Sequence, residues 1–239
     1  MIFDRQGLIL CSRYAFGPNS LHYCGPERQG DILGYVQSEE ADRGLAELLN
    51  RFETLYPYLV LIASENHLKD PFDRRVVEAY WLGNSLLHRV SGKALVTHVA
   101  DTLGVKKKIE KKKFSPMMDD VVNGVPQHNF HVLNIFIRTG HHAAPHTITT
   151  MDNCRISWGR VIGVGKHYIV ETQPLVYLGG RLVLGMLEKK VVTSVAVKPK
   201  IGDWVSIHWR YMCAILSMRQ LAFLTKYTDL ALSTANRTV

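Results

Sequence analysis

The feature that most constrains the fold is a change in hydrophobic spacing near residue 150. Between residues 41 and 104, apolar residues recur at intervals close to 3.6, which is typical of amphipathic helices. After Cys154 the chain consists of short runs rich in Val, Ile and Tyr, separated by Gly, Pro and Lys, as in β-strands. About five such runs in succession favour a small closed barrel over a sandwich. The predicted fold class is α+β, with a helical N-terminal domain followed by a small OB-like β-barrel and a C-terminal helix.

The change in spacing also divides the chain. We predict a mostly helical domain over residues 1–148, with a His-rich C-terminal segment, and the barrel with its terminal helix over residues 149–239. In the helical part, Asp70 is the expected N-cap of a helix that continues to Val90. In the second part, "LGGR" predicts a hairpin turn, and Ser217 is the expected N-cap of the last helix.

Charge and hydropathy limit the possible partners. The formal net charge is +8, and the segment 106–113, "KKKIEKKK", accounts for +5 of it through six lysines and one glutamate. A lysine run without interleaved aromatic residues is typical of a solvated loop or helix end rather than a nucleic-acid groove. No apolar run has the length of a membrane span, and the first residues do not resemble a signal peptide. We therefore predict a cytoplasmic protein without membrane or nucleic-acid partners.

Two residues of the second part suggest a metal site. The four cysteines show no CxxC pair, which argues against a disulfide framework or a zinc finger. In a small barrel, Cys154 at the start of the first strand and His208 in a late strand are expected at the same rim. A thiolate and an imidazole are sufficient to hold an iron or zinc ion while leaving coordination positions open.

The sequence around these two residues resembles a known family. "CRISWGRVIGV", which begins at Cys154, and "GDWVSIHWRYM", which contains His208, resemble the two signatures of hydrogenase-maturation chaperones of the HypC/HupF type. The resemblance covers residues 152 to about 233. The matching positions around the two candidate ligands are Gly159, Arg160, Val161, Gly202, Asp203, Trp204 and Val205.

The resemblance implies iron handling. Chaperones of this type hold an iron centre with cyanide and carbon monoxide ligands, Fe(CN)2CO, through the cysteine and the histidine. They exchange it with a HypD-like scaffold protein and with the large subunit of a nickel-iron hydrogenase. The same partners and cargo are expected here, with zinc or another transition metal as the alternative. The sequence departs from the pattern at Cys154, which is not N-terminal, at Trp158, which replaces a proline, and at Arg210, which replaces a glycine.

Further candidate ligands precede Cys154. Five of the eleven histidines lie between residues 128 and 146, and His131 and His142 are the candidates that we add to Cys154 and His208 as metal ligands. Secondary candidates for cofactor binding are His128, His141, His146, Asn129, Arg138 and Cys24. The histidines could ligate a metal ion, and the asparagine and arginine could donate hydrogen bonds to its ligands.

Two other function classes remain open at this stage. The histidines and Cys154 could hold a catalytic metal that acts in small-ligand or one-carbon chemistry, although no residue pattern specifies a reaction. An OB-like barrel could also bind nucleic acid through its aromatic residues, such as Trp158, Trp204 and Trp209.

Overall fold

A computed structural model describes residues 3–136 and 147–237. As the helical spacing predicts, the first part consists of helices. These are α1 (Arg5–Ser20), α2 (Gln29–Ser38), α3 (Arg43–Leu49), α4 (Leu55–Glu65), α5 (Arg74–Trp81), α6 (Gly92–Thr97), α7 (Lys111–Val121) and α8 (His128–Phe130). Short 3-10 turns at Ser85–Arg89 and Val105–Lys107, and π-helical turns at His98–Thr102 and His131–Phe136, connect or extend them.

Helix α5 is shorter than predicted. Its N-cap is Asp73, whose side chain accepts a hydrogen bond from the amide of Arg75. The predicted cap, Asp70, instead accepts hydrogen bonds from the amides of Asp4 (2.8 Å) and Phe72 (2.9 Å), and so fixes the start of α1. The helix ends at Trp81 because the chain turns at Gly83, whose φ of +89° favours glycine.

Within residues 147–237, seven strands lie between two helices. Helix α9 (Ile148–Cys154) precedes them, and α10 (Met218–Ala235) follows them. The strands are β1 (Ser157–Val164), β2 (Tyr168–Thr172), β3 (Leu175–Leu178), β4 (Arg181–Leu184), β5 (Glu188–Val192), β6 (Trp204–His208) and β7 (Tyr211–Ile215). The prediction that Cys154 begins the first strand is wrong. The residue ends α9, because the capping box between Thr147 and Thr150 starts a helix ahead of it.

The strands form an antiparallel sheet and a hairpin. Five strands pair in the order β5-β2-β1-β6-β7, and β3 pairs with β4. The predicted hairpin turn is confirmed between Leu178 and Arg181. The ladders of the described strands do not close into a barrel. A single parallel bridge from Thr193, just after β5, to Tyr211 of β7 joins the two edges of the sheet. The expected mixture of helices and an antiparallel sheet is therefore confirmed at the level of fold class.

One large apolar core contains residues from both parts of the chain, from Leu8 in α1 to Ala235 in α10. The last helix packs into it through the predicted face, in which Leu221, Leu224, Tyr227 and Ala231 are buried. Its predicted N-cap, Ser217, is confirmed as half of a capping box with Gln220. A smaller apolar cluster lies within the sheet.

The lysine run lies on the surface, as expected for a solvated segment. All six lysines of the run between Lys106 and Lys113 are exposed, on a 3-10 turn and on the first turn of α7. In the described part of the chain, no helix is long and apolar enough to cross a membrane.

Asn129 joins the helical part to the sheet and to the last helix. Its side-chain nitrogen donates to the carbonyl of Ile156 and to the hydroxyl of Thr228, both at 2.9 Å. Its side-chain oxygen accepts from the amide of Ile156 at 2.6 Å. Because Asn129 is fully buried, these groups have no access to water, and the loss of one partner leaves others unsatisfied.

We expect Asn129→Ala to lower the free energy of unfolding by about 2–4 kcal/mol, because it leaves the amide and carbonyl of Ile156 buried and unpaired. Urea unfolding followed by circular dichroism measures this change. The exposed Asn123→Ala is the matched control, and its effect should stay within about 0.5 kcal/mol. Equal effects of the two substitutions would contradict the assigned role.

Candidate metal centre

A small cavity lies where the helices meet the sheet. Its volume is about 80 Å³, and most of its wall is apolar. Such a space has room for several water-sized molecules. Its lining residues come from α1, the α1–α2 loop, the segment that leads into α4, α5, α8 with the π-helical turn that follows it, the end of α9, the end of β6 and the β6–β7 turn. They are Ala15, Pro18, Tyr23, Cys24, Phe52, Thr54, Leu55, Tyr80, Trp81, His128, His131, Val132, Phe136, Cys154, His208 and Trp209.

His208 is oriented by a proline in helix α1. Pro18 has no amide hydrogen, so the carbonyl four residues earlier, at Tyr14, receives no helical hydrogen bond from it. That carbonyl instead accepts a hydrogen bond of 2.7 Å from Nδ1 of His208. Since a carbonyl only accepts, Nδ1 carries the proton and Nε2 has a lone pair. Nε2 is buried and has no hydrogen-bond partner among the described residues.

The position of His208 depends on close packing of α1 against the β6–β7 hairpin. A Cβ atom at Gly17 would lie 2.8 Å from the carbonyl oxygen of His208, so only glycine permits this approach. The hydroxyl of Tyr14 also lies 2.7 Å from that of Ser206 in β6. Burial lowers the pKa of His208 to about 4, which keeps the imidazole neutral and able to bind a metal ion at neutral pH.

Cys154 faces the same cavity from the end of α9. Burial raises the pKa of its thiol to about 12, and Cys24 contributes to the rise, whereas the side chain of Trp209 opposes it. The thiol is therefore protonated at neutral pH in the metal-free protein. A metal ion would have to displace this proton in order to bind the thiolate.

His128 is held by two hydrogen bonds. Its Nε2 lies 2.8 Å from the carbonyl oxygen of Cys154, and its Nδ1 lies 3.1 Å from the hydroxyl of Tyr80. Nε2 must be the donor to the carbonyl, so Nδ1 accepts from the tyrosine. Burial lowers the pKa of His128, and so does the neighbouring His208. To bind a metal ion, His128 would exchange one of these two hydrogen bonds for the metal.

Together, His128, Cys154 and His208 could hold a metal ion. Their ligand atoms all lie within 4.8 Å of one another. The buried, unpartnered Nε2 of His208 fits a metal-bound imidazole whose other nitrogen donates to a carbonyl. One sulfur and two imidazole nitrogens favour a transition metal ion over Mg²⁺ or Ca²⁺, which prefer oxygen ligands.

The other predicted ligands have different positions. His131 lines the cavity, and its Nδ1 lies 3.1 Å from the hydroxyl of Tyr58. Cys24 lies in the cavity wall, where burial raises the pKa of its thiol to about 11. Asn129 is not part of the cavity lining, because its side chain pairs with the backbone of Ile156 and with Thr228. Four predicted residues, Arg138, His141, His142 and His146, lie outside the described residues.

An aromatic shell around the centre was not anticipated from the sequence. Trp81 stacks on Tyr14 with ring centroids 5.1 Å apart, and it also contacts the rings of His128 (4.7 Å) and His208 (5.5 Å). The helical spacing of α5 identifies Trp81 only as a core residue. The signal for the Tyr14 carbonyl is the "GP" pair at residues 17–18 within an otherwise helical segment.

The positions of the tryptophans in the second part argue against a nucleic-acid-binding surface on the sheet. Trp209 is buried, and Trp158 and Trp204 pack against the large core. They therefore do not form the exposed row of rings that stacking on bases requires.

Comparison with known proteins adds one finding. Residues 3–239 match DUF6390, a family of unknown function. The chain belongs to DUF6390. The family match includes both the helical part and the sheet, so all residues of the site lie within the matched region. Neither the curated proteins nor the solved structures contain a significant match.

The buried histidines predict a loss of stability in acid. His98, whose ring lies 4.5 Å from that of Tyr58, and His208 both have a pKa lowered to about 4 by burial. The unfolded chain has a histidine pKa of about 6.5, so it binds more protons than the folded chain between these values. The contribution of these two neutral histidines to the free energy of unfolding is complete above pH 6.5 and is lost as the pH falls through 4.

We therefore expect the free energy of unfolding of the metal-free protein to fall between pH 6.5 and 4, by up to about 1.4 kcal/mol per pH unit for each histidine. Urea unfolding across this range measures the slope. The variant His98→Phe should have a shallower slope, because it removes one of the groups. A constant stability across the range would contradict the neutral state of these residues.

The role of Pro18 predicts the effect of its replacement. In Pro18→Ala, a new amide hydrogen competes with His208 for the carbonyl of Tyr14, so the imidazole is less well oriented. We expect the affinity for Co²⁺, measured by anaerobic titration, to fall about tenfold. Pro116→Ala, which alters an exposed proline within α7, is the control and should bind Co²⁺ as the wild type does. Equal affinities of both variants would refute the orienting role.

Proposed function

We propose that this protein carries an iron centre with cyanide and carbon monoxide ligands as cargo and delivers it to a metalloenzyme. The observation that carries the proposal is the buried, unpartnered Nε2 of His208, which lies with Cys154 and His128 in one group of potential ligands. The proton on Nδ1 of His208 already points to a carbonyl, so this imidazole needs no rearrangement to bind.

The number of ligands suits a carrier. His208 offers its Nε2 directly and Cys154 offers its sulfur once the thiol loses its proton, whereas His128 must first give up a hydrogen bond. A strong thiolate ligand suits low-spin iron, and a small set of protein ligands keeps the ion transferable. When His128 re-forms the hydrogen bond that it gave up, the centre loses one ligand. This exchange favours release to a partner.

The cavity suits small ligands on the iron. Its volume of about 80 Å³ and largely apolar wall can exclude bulk water around diatomic molecules. The indole N–H of Trp209 lies in the wall, lacks a partner among the described residues and can donate a hydrogen bond to a cyanide nitrogen atom. The half-buried Tyr23 and Cys24 lie in a largely exposed loop, which is the side from which cargo would enter and leave.

The resemblance to HypC/HupF-type chaperones supports the same cargo. Gly159 is needed because a Cβ atom there would lie 2.3 Å from the side chain of Val170, and Gly202 has a φ of +96°. The structure therefore explains why two positions of the shared signatures are occupied by glycine. We infer from the resemblance that the partners are a HypD-like scaffold protein and a hydrogenase-type large subunit, and that the protein acts in the cytoplasm.

Infrared spectroscopy and metal analysis on anaerobically purified protein test the proposal. We expect iron together with absorption bands in the cyanide and carbonyl stretching region, and we expect both to be lost in Cys154→Ala. Cys213→Ala removes a buried thiol from the core outside the cavity, and it should retain the iron.

Two results would contradict the carrier function. A metal ion without these bands that persists in Cys154→Ala would favour a zinc or other transition metal held by histidines, and with it the metal-dependent enzyme. Absence of any metal from protein that is produced together with hydrogenase-maturation proteins would contradict both the carrier function and the metal-dependent enzyme.

A further inference from the structure

A second groove lies within the helical part, between α4 and the segment that contains α6. Its volume is about 690 Å³, and most of its wall is apolar. This volume is in the range of small-molecule sites, which are mostly apolar and contain a few polar groups. None of its lining residues also lines the cavity of the metal centre. The groove is therefore a separate candidate site.

The groove is lined by a histidine whose hydrogen bonding is incomplete. His98 is only 5% exposed, and its ring contacts that of Tyr58 with centroids 4.5 Å apart. Its Nε2 is buried and has no hydrogen-bond partner within residues 3–136 and 147–237. A buried polar atom without a partner is destabilising, so packing alone does not explain a histidine at this position. A bound ligand with a hydrogen-bonding group would remove this cost.

The backbone at His98 is also unusual. The π-helical turn His98–Thr102 follows α6, and the amide of Leu103 donates to the carbonyl of His98, five residues earlier, at 3.0 Å. Turns of this kind are rare and occur frequently at functional sites. Among the described residues, the other π-helical turn, His131–Phe136, begins at a histidine that lines the cavity of the metal centre. The turn at His98 has the same relation to the groove.

The two walls of the groove differ in chemistry. Helix α4 contributes an apolar wall that includes Pro57, Leu61 and the 40% exposed Val60. Helix α6 contributes the exposed Lys93, which is the only charged residue among the described lining residues. A ligand with an apolar body and one negative charge matches these two walls.

The positions of Lys93 and His98 limit the length of the ligand. The two residues are five positions apart along α6 and the π-helical turn, which corresponds to a rise of about 7.5 Å. One aromatic ring with a short side chain spans such a distance. Burial lowers the pKa of His98 to about 4, so the imidazole is neutral at neutral pH. A neutral imidazole has one donor and one acceptor nitrogen, and a hydroxyl group can pair with either.

We propose that this groove binds a small aromatic monocarboxylate that carries a hydroxyl group. The aromatic ring packs on the apolar wall that α4 provides. The carboxylate pairs with Lys93, and the hydroxyl forms a hydrogen bond with the imidazole of His98. This site is independent of the iron cargo, because it shares no lining residue with the metal centre.

Isothermal titration calorimetry of the metal-free protein with two probes tests the proposal. The probes are 3-(4-hydroxyphenyl)propionate and 3-phenylpropionate, which differ only in the hydroxyl group. We expect the wild type to bind the hydroxylated probe about fivefold more tightly, because its hydroxyl pairs with the buried imidazole. In His98→Phe the two probes should bind equally, because the partner of the hydroxyl is absent.

The contribution of the cation is tested separately. Lys93 is exposed, so Lys93→Gln should fold as the wild type does, and it should weaken the binding of both probes by the same factor of about two. Lys189→Gln, at an exposed lysine of β5, is the matched control and should bind both probes as the wild type does. Equal effects of the two lysine variants would contradict the assignment of the carboxylate to Lys93.

Four results would overturn the proposed site. They are the absence of saturable binding to the wild type, equal affinities of the wild type for the two probes, the same advantage of the hydroxylated probe in His98→Phe, and loss of binding in Cys154→Ala. The last result would move the probe to the cavity of the metal centre, whereas we expect Cys154→Ala to bind both probes with unchanged affinity. None of these results depends on whether the protein carries iron.

Discussion

The hydrogen bond from His208 to the carbonyl of Tyr14 is the contact on which the arrangement of the site depends. It exists because Pro18 cannot supply the helical hydrogen bond that this carbonyl would otherwise accept. A defect in the hydrogen bonding of helix α1 thereby becomes the element that selects the tautomer of a histidine in the sheet. Gly17, next to the proline, provides the space for this contact. The site is therefore formed at the interface between the helices and the sheet, and neither part forms it alone.

The same interface places Cys154 beside a further potential ligand. Helix α9 ends with Cys154 in the wall of a cavity that is also lined by His128. Asn129, the residue after this histidine, binds the backbone of Ile156 at the start of the sheet. The helical part thus both supplies a further potential ligand and fixes the segment that carries the cysteine.

Local signals in the sequence predicted what local interactions determine. The cap at Ser217 and the hairpin turn at Gly179 and Gly180 depend on neighbouring residues, and both are present as expected. The sequence predicts a strand at Cys154 and not the end of a helix. The reason is that the apolar run after Cys154 is a stronger signal than the capping box at Thr147. The sequence analysis names His131 as a metal ligand and His128 only as a secondary candidate, whereas the structure groups His128 with Cys154 and His208. Which histidine approaches Cys154 is decided by contacts between distant segments, such as that of Tyr80 with His128, and these leave no local pattern.

The long separation of the contributing segments has a consequence for biosynthesis. Tyr14 and His208 lie 194 positions apart, and His128 and Cys154 lie between them. While the chain is being synthesised, no complete set of ligands exists until β6 has left the ribosome and docked against α1. An incomplete nascent chain therefore cannot retain a metal ion in the arrangement seen here. Any metal ion held by this group of residues would therefore be acquired only by fully folded molecules.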